Sequence, residues 1–209
     1  MANTTPSAPR RMAFPRWAIT VGIIVIIAII LYNFFAGAQR SMVELDEAAN
    51  GKWANVQSSY QRRADLIPNL VNTVKGYADF EQETLVKVIE ARAKATSITI
   101  DPSNATPEQF AQFQQAQDEL GGALSRLLVT IERYPDLKAN QNFLELQAEL
   151  AGTENRINVA RNDYNTSIQA YNTYVRRFPQ NLLAGMFGFE RRSMFEATAG
   201  SDVAPKVEF

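Results

Sequence analysis

Neither cysteine nor histidine occurs among the 209 residues. Without cysteine there is no disulfide, no thiol nucleophile and no thiolate metal site, a composition compatible with an extracytoplasmic domain. Without histidine the chain lacks the usual general base near neutral pH and the commonest transition-metal ligand. Glu81, Glu83, Glu90, Glu132, Glu145 and Glu154 supply carboxylates, but carboxylate-bridged metal bundles also need Glu-x-x-His pairs projecting inward. No glycine-rich phosphate loop, nucleophile elbow or Ser-x-x-Lys motif is found either. The expectation is a protein that is not an enzyme. No catalytic, cofactor-binding or metal-binding residue is assigned, and no cofactor is expected.

Charge is missing from one long stretch. Trp17–Ala38 holds no Asp, Glu, Lys or Arg across 22 residues, with Arg16 and Arg40 on either side. As a helix it reaches about 33 Å, enough for a hydrocarbon core of about 30 Å. Isoleucines occupy every side, so no polar stripe remains to face water. Trp17, Tyr32, Phe34 and Phe35 lie near the ends, where amphipathic rings favour the headgroups. Ala36-Gly37-Ala38 has the small-x-small form of a cleavage site, but the apolar run is too long for a secretory signal, so an uncleaved signal anchor is expected. Arg10, Arg11 and Arg16 precede it with no acid among them. The positive-inside rule then puts the N-terminus in the cytoplasm of a bacterial inner membrane and the C-terminal domain outside it, in the periplasm.

Beyond the span, 171 residues make one ordinary domain carrying all 22 acids and 18 of the 21 bases, near −4. That is too acidic for a nucleic-acid-binding surface. Residues 1–16 are rich in Pro and Ala with nothing to bury, and read as a disordered tail. From Gln39, Val43, Trp53, Val56, Tyr60 and Ile67 follow helical spacing. The small residues Ala48, Ala49 and Gly51 make this part look more like a stalk than a core. Pro68 interrupts a pattern that resumes with Leu70, Val74, Tyr77, Leu85, Val88 and Ile89, up to Ala95. It marks either a kink or a boundary at which Asp65 caps a second helix.

Residues 97–106, SITIDPSNAT, form a loop. Thr106-Pro107-Glu108-Gln109 is a helix start, with threonine as N-cap, proline first and glutamine at the third position. Phe110, Phe113, Leu120, Leu124, Leu127 or Leu128, and Ile131 form its apolar face, and Gly121-Gly122 implies a close approach or bend. Phe143, Leu150, Ile157, Tyr164, Tyr171 and Phe178 then recur every seven residues. This coiled-coil-like stripe predicts a long helix from about Asn140 to Phe178, ended by Pro179. The fold class is all-α: an N-terminal transmembrane helix (17–38) followed by an elongated antiparallel helical bundle (39–178). The remainder, 179–209, is an apolar segment and a flexible tail. Its run from Leu182 to Phe189 must be hidden against the bundle, the bilayer or a partner.

Two polar groupings break the apolar faces. Gln147, Glu154 and Arg161 repeat every seven residues beside the stripe, joined by Asn165; Arg62, Arg63, Asp65 and Asn69 gather near Pro68. As a binding site they require a cavity between helices near Arg161 and Asp65. As structural groups they are ion pairs and hydrogen bonds that fix register, the commoner use of polar groups in bundles.

A set of segments in fixed order carries a family resemblance. After one hydrophobic span come YQRRADLIPNL (60–70), ERYPDLKA (132–139), FLELQ (143–147), ENRINVARNDYN (154–165), RFPQN (177–181) and a closing PKVEF (205–209). From about Val43 onward the chain closely resembles the LemA family of bacterial membrane proteins. The resemblance implies a helical bundle on a single membrane helix and no catalytic residues. One branch of the family is associated with internal membranes of bacteria, which implies scaffolding or shaping of the bilayer.

The functional expectation is a membrane-anchored structural or interaction scaffold. Its partners are the lipid bilayer and other copies of itself in a homo-oligomer, with no nucleic acid. The alternative is a ligand-binding sensor, or an accessory subunit of a membrane-associated enzyme or protease system. Val207-Glu208-Phe209 has the form of a C-terminal peptide recognised by strand addition, which would give the tail a protein partner; alternatively it folds back onto its own bundle.

Overall fold

The computed structural model of the protein describes residues 15–76 and 81–196. Most of the tail at 1–16, Tyr77, and the terminal Val207-Glu208-Phe209 lie outside the described residues. Among the described residues there are six helices and no strand.

Helix α1 (Arg16–Lys75) runs 60 residues without interruption, about 90 Å at 1.5 Å per residue. Its first third touches nothing: Ile24, Ile30 and Tyr32 are 64%, 61% and 73% exposed. No part of its most apolar window is buried, unlike a core helix. It is long and apolar enough to cross a membrane, and the chain continues from it into the bundle with no linker.

Proline 68 neither ends nor divides α1, and Asp65 caps nothing. A proline inside a helix leaves the carbonyl four residues earlier without its donor. Here that carbonyl belongs to Ala64, and Arg92 Nε from α2 donates to it at 2.8 Å. The break in the expected 70–95 pattern comes later. Helix α1 stops at Lys75, with Gly76 as its cap, and α2 spans Gln82–Ser97. A sequence pattern can continue across a reversal when both helices turn their apolar faces to one core.

Helix α3 (Pro107–Ile131) opens with the expected capping box, Thr106 and Gln109 each accepting a bond from the other's backbone N–H. It lies antiparallel to α2, held on the outside by Lys94 and Glu119 at 2.6 Å. Its Gly121-Gly122 pair marks no close approach: a Cβ at Gly121 would sit at ordinary contact distance, 3.7 Å from Arg63 Nη1, and one at Gly122 would meet nothing. The short α4 (Pro135–Lys138) leads into α5 (Gln141–Arg176), capped by Asn140 Oδ1 accepting from Phe143 N–H.

Helix α5 descends beside α1, with Lys52 opposite Asp163 at 2.8 Å and Arg63 opposite Glu154 at 2.9 Å. Its heptad positions Phe143, Leu150, Ile157, Tyr164 and Tyr171 are all buried. Phe178 breaks the series at 76% exposed, because α5 has already ended at Arg176 and the chain is extended at Arg177. Helix α6 (Gln180–Phe187) follows and is closed by Gly188 at φ 75°, a left-handed conformation that suits glycine. Residues 190–196 then run back up α5 as an extended strap.

The core is stacked along α1 in three clusters. The distal one joins α1, α2, α3 and α5 through residues such as Leu70, Val88, Leu127 and Leu150. The middle one is largely aromatic. The third joins Ala38 and Met42 to Tyr171, Val175, Leu183 and Ala184. The part of α1 just beyond the apolar stretch is therefore packed on one side rather than a stalk: Met42 and Ala49 are 0% exposed, while Ala48 and Gly51 face outward.

Candidate functional site

Trp53 is the hub of the middle cluster. Its ring lies 5.4 Å from Phe113, 5.2 Å from Tyr164 and 5.9 Å from both Phe110 and Phe195, centroid to centroid. Four segments meet there, since Phe195 belongs to the strap rather than to a helix. The strap has no sheet partner, and an extended backbone buried without one leaves its amides unsatisfied.

Side-chain amides fill that need. Asn172 Nδ2 donates to Arg192 O at 2.9 Å, and its Oδ1 accepts from Arg192 N–H at 3.0 Å. Asn165 makes the same pair of bonds to Phe195, both at 2.9 Å. Gln114 of α3 repeats the arrangement at Glu196, at 3.0 and 3.2 Å. A primary amide offers one donor and one acceptor side by side, as a peptide unit does. The spacing also matches. Seven residues of helix advance about 10.5 Å, and the three residues from Arg192 to Phe195 in extended form cover about 10 Å. Tyr164 and Tyr171, likewise seven apart, donate their hydroxyls to Ser193 O and Glu190 O.

Arg192 anchors the start of the strap. It is 6% exposed, with Nη2 2.6 Å from Asp46 and 2.7 Å from Ser103 Oγ, and Nη1 2.8 Å from Asn50 Oδ1. Partial burial raises the Asp46 carboxyl above its usual range, outweighing the opposing pull of Arg192. Burial pushes the Tyr60 and Tyr164 hydroxyls up to about 12 and raises Tyr171 as well.

The two expected polar groupings meet at one point. Arg63, 3% exposed, pairs with Glu154 and donates to Gln117 O and Oε1, both at 3.0 Å. Arg62 pairs with Glu149 on the surface. Asp65 faces outward and accepts from Gln61; Asn69 is exposed and Gln147 half-buried, outside this network. Arg161 lies over the Phe195 ring at 4.7 Å, reaches Glu196 O at 3.2 Å and stands 3.5 Å from Asp118. Asn165 is the strap clamp.

A surface groove of about 630 Å³ runs between α2 and α3, lined by Lys87, Gln114, Asp118, Glu119, Arg126 and Glu196, and a smaller cleft of about 130 Å³ lies between α1, α2 and α3, beside Tyr60, Ala95 and Gln117. Tyr60 Oη is buried there without a partner. Of the acids considered for a metal, Glu81 pairs with Arg133, Glu83 with Lys87 and Glu132 with Lys138, while Glu145 accepts from Gln141. Among the described residues no group of three or more acids could hold a metal ion.

Asp46, Asn50, Gln114, Gln117, Asn172 and Arg192 were not evident in the sequence. Only Asn172 left a signal, standing seven residues after Asn165 on the same stripe.

The sequence profile of the LemA family matches residues 52–209. Protein LemA of Metamycoplasma hominis is 24% identical over 169 residues, covering 81% of this chain and 74% of that protein. Magnetosome protein MamQ of Magnetospirillum gryphiswaldense is 24% identical over 220 aligned positions, covering 96% of this chain and 81% of the relative. Magnetosome protein MamQ 2 of Paramagnetospirillum magneticum is 25% identical over 179, covering 78% and 66%. The matched region takes in the distal bundle, the aromatic hub, α6 and the strap, and the chain belongs to the LemA family.

Proposed function

We propose that the protein is a membrane-anchored structural scaffold that self-associates and performs no catalysis. The observation that carries this reading is the continuity of α1 from its apolar third into the packed bundle. A helix with no linker holds the domain at a fixed height and tilt over the bilayer, as a scaffold requires. The polar groups that would have served chemistry are instead engaged in ion pairs and strap clamps. Similarity to magnetosome proteins supports a part in membrane organisation. The arginines before the span support a cytoplasmic N-terminus and a domain outside the cytoplasm.

A ligand sensor is less well supported. Ligand pockets are concave and lined mostly by apolar and aromatic side chains; the groove of about 630 Å³ between α2 and α3 is lined by Lys87, Gln114, Gln115, Asp118, Glu119, Arg126 and Glu196 with alanine and glycine and no aromatic ring, and the cleft at Tyr60 has only about 130 Å³. Mass photometry of the detergent-solubilised full chain tests the scaffold. Discrete oligomers are expected. Monomers at every concentration, with and without the span, would remove self-association from the account.

A further inference from the structure

Helix α6 is apolar on both sides, and only one side is covered. Leu183 and Ala184 are 5% and 3% exposed, packed on Ala38 and Met42 of α1 and on Tyr171 and Val175 of α5. On the other side Leu182 and Met186, four residues apart and so on one face, are 60% and 73% exposed. Phe178, just before the helix, is 76% exposed and Phe187 is 38%. A soluble bundle gains nothing by gathering such side chains in one place.

The height of α6 identifies what covers them. It packs on Ala38 and Met42, and Ala38 is the last residue of the apolar stretch. These two positions span about 6 Å of helix rise, so α6 stands at the end of the span, beside Arg40. The register set by Lys52–Asp163 and Arg63–Glu154, continued along both helices past Met42 and Val175, puts the end of α5 at Arg176 level with Arg40. From 176 to 189 Arg176 and Arg177, both exposed, are the only charged residues. Apolar side chains flanked by cations suit the boundary between acyl chains and anionic headgroups. A second copy of this chain would bring the same arginines to the same patch.

We infer that α6, with Phe178, is an interfacial helix lying on the bilayer that α1 crosses, its Leu182 and Met186 side chains set into the headgroup region. This rests on Trp17–Ala38 spanning that bilayer. The span and α6 then form two attachments to one membrane, and α1 is restrained against tilting away from α6.

The lack of cysteine makes the test clean. Full-length Leu182→Cys, Met186→Cys, Ile27→Cys and Val129→Cys proteins carry a nitroxide in phosphatidylethanolamine–phosphatidylglycerol nanodiscs. Val129, 71% exposed at the far end of the bundle, is the aqueous reference, and circular dichroism verifies folding of each variant. Power-saturation EPR compares access of oxygen, which favours lipid, with that of a water-soluble nickel chelate. The expected result is lipid-like access at 182 and 186, shallower than at 27, with aqueous access at 129. Aqueous access at 182 and 186 with lipid-like access at 27 overturns the inference and leaves the span intact. Aqueous access at 27 removes both. Shielding of 182 and 186 from both reagents, with dipolar broadening between labels, overturns it in favour of a second copy on the patch.

Discussion

Breaking the Arg63–Glu154 pair from its two ends should have unequal consequences. The Arg63 side chain is 4% exposed and that of Glu154 is 52% exposed. Glu154→Leu leaves a buried guanidinium with only neutral acceptors, Gln117 O and Oε1, and the Tyr60 ring at 5.2 Å. Orphaning a buried charge costs about 3–5 kcal/mol; with those acceptors retained and the lost carboxylate half in water, about 2 kcal/mol is expected. Arg63→Met removes the charge together with its desolvation, and Glu154 rehydrates. What remains is Gln117 Oε1 without a donor, about 1 kcal/mol at the low end for an unmade bond. Once Arg63 is Met, Glu154→Leu should cost almost nothing, a coupling of about 2 kcal/mol across the double-mutant cycle. Urea unfolding in detergent measures it, with Trp17→Phe leaving Trp53 as the only tryptophan reporter. Strictly additive losses would refute the reasoning, since Glu154 would then not compensate Arg63.

Other consequences follow from the same geometry. Ile157→Asp should lower stability by roughly 3 kcal/mol in the same assay, because Ile157 is 1% exposed in the apolar middle cluster. Asn165→Leu strips the partners from Phe195 N–H and C=O, costing about 2 kcal/mol; hydrogen exchange should accelerate at Phe195 and leave the distal core protected. Tyr60 sets an alkaline limit. Its hydroxyl ionises near 10.0 when unfolded and near 12 when folded, so its contribution is complete below pH 10 and is lost between 10 and 12. That loss amounts to about 3 kcal/mol. Tyr60→Phe should flatten this part of the stability profile, as seen by circular dichroism.

Most of the helical framework was legible because its signals are local. The capping box at Thr106, the heptad from Phe143 and the uncharged span each rest on residues adjacent in sequence or a turn apart. The errors arose where distant segments intervene. Pro68 reads as a kink or a helix boundary, and the boundary is averted where Arg92, 24 positions on, supplies the donor that Ala64 lacks. Ala49 reads as part of a stalk because nothing local indicates that α5 returns beside it. The strap was the hardest to foresee. Its register depends on amides of Asn165, Asn172 and Gln114 from two helices, and asparagine or glutamine on a helix face is ordinary at any solvent-exposed position. Of the polar groupings, the structural use was legible, but the pairing of Arg63 with Glu154 needed the fold.

Cysteine accessibility in intact spheroplasts tests the anchored arrangement most directly. The Ile27→Cys and Val129→Cys proteins are treated with a membrane-impermeant maleimide before and after lysis. The expected result is labelling of residue 129 from outside intact cells, and protection of residue 27 under both conditions. Labelling of residue 129 only after lysis would put the domain in the cytoplasm, against the arginines that precede the span. Ready labelling of residue 27 in lysed membranes would contradict the central claim that α1 crosses the bilayer.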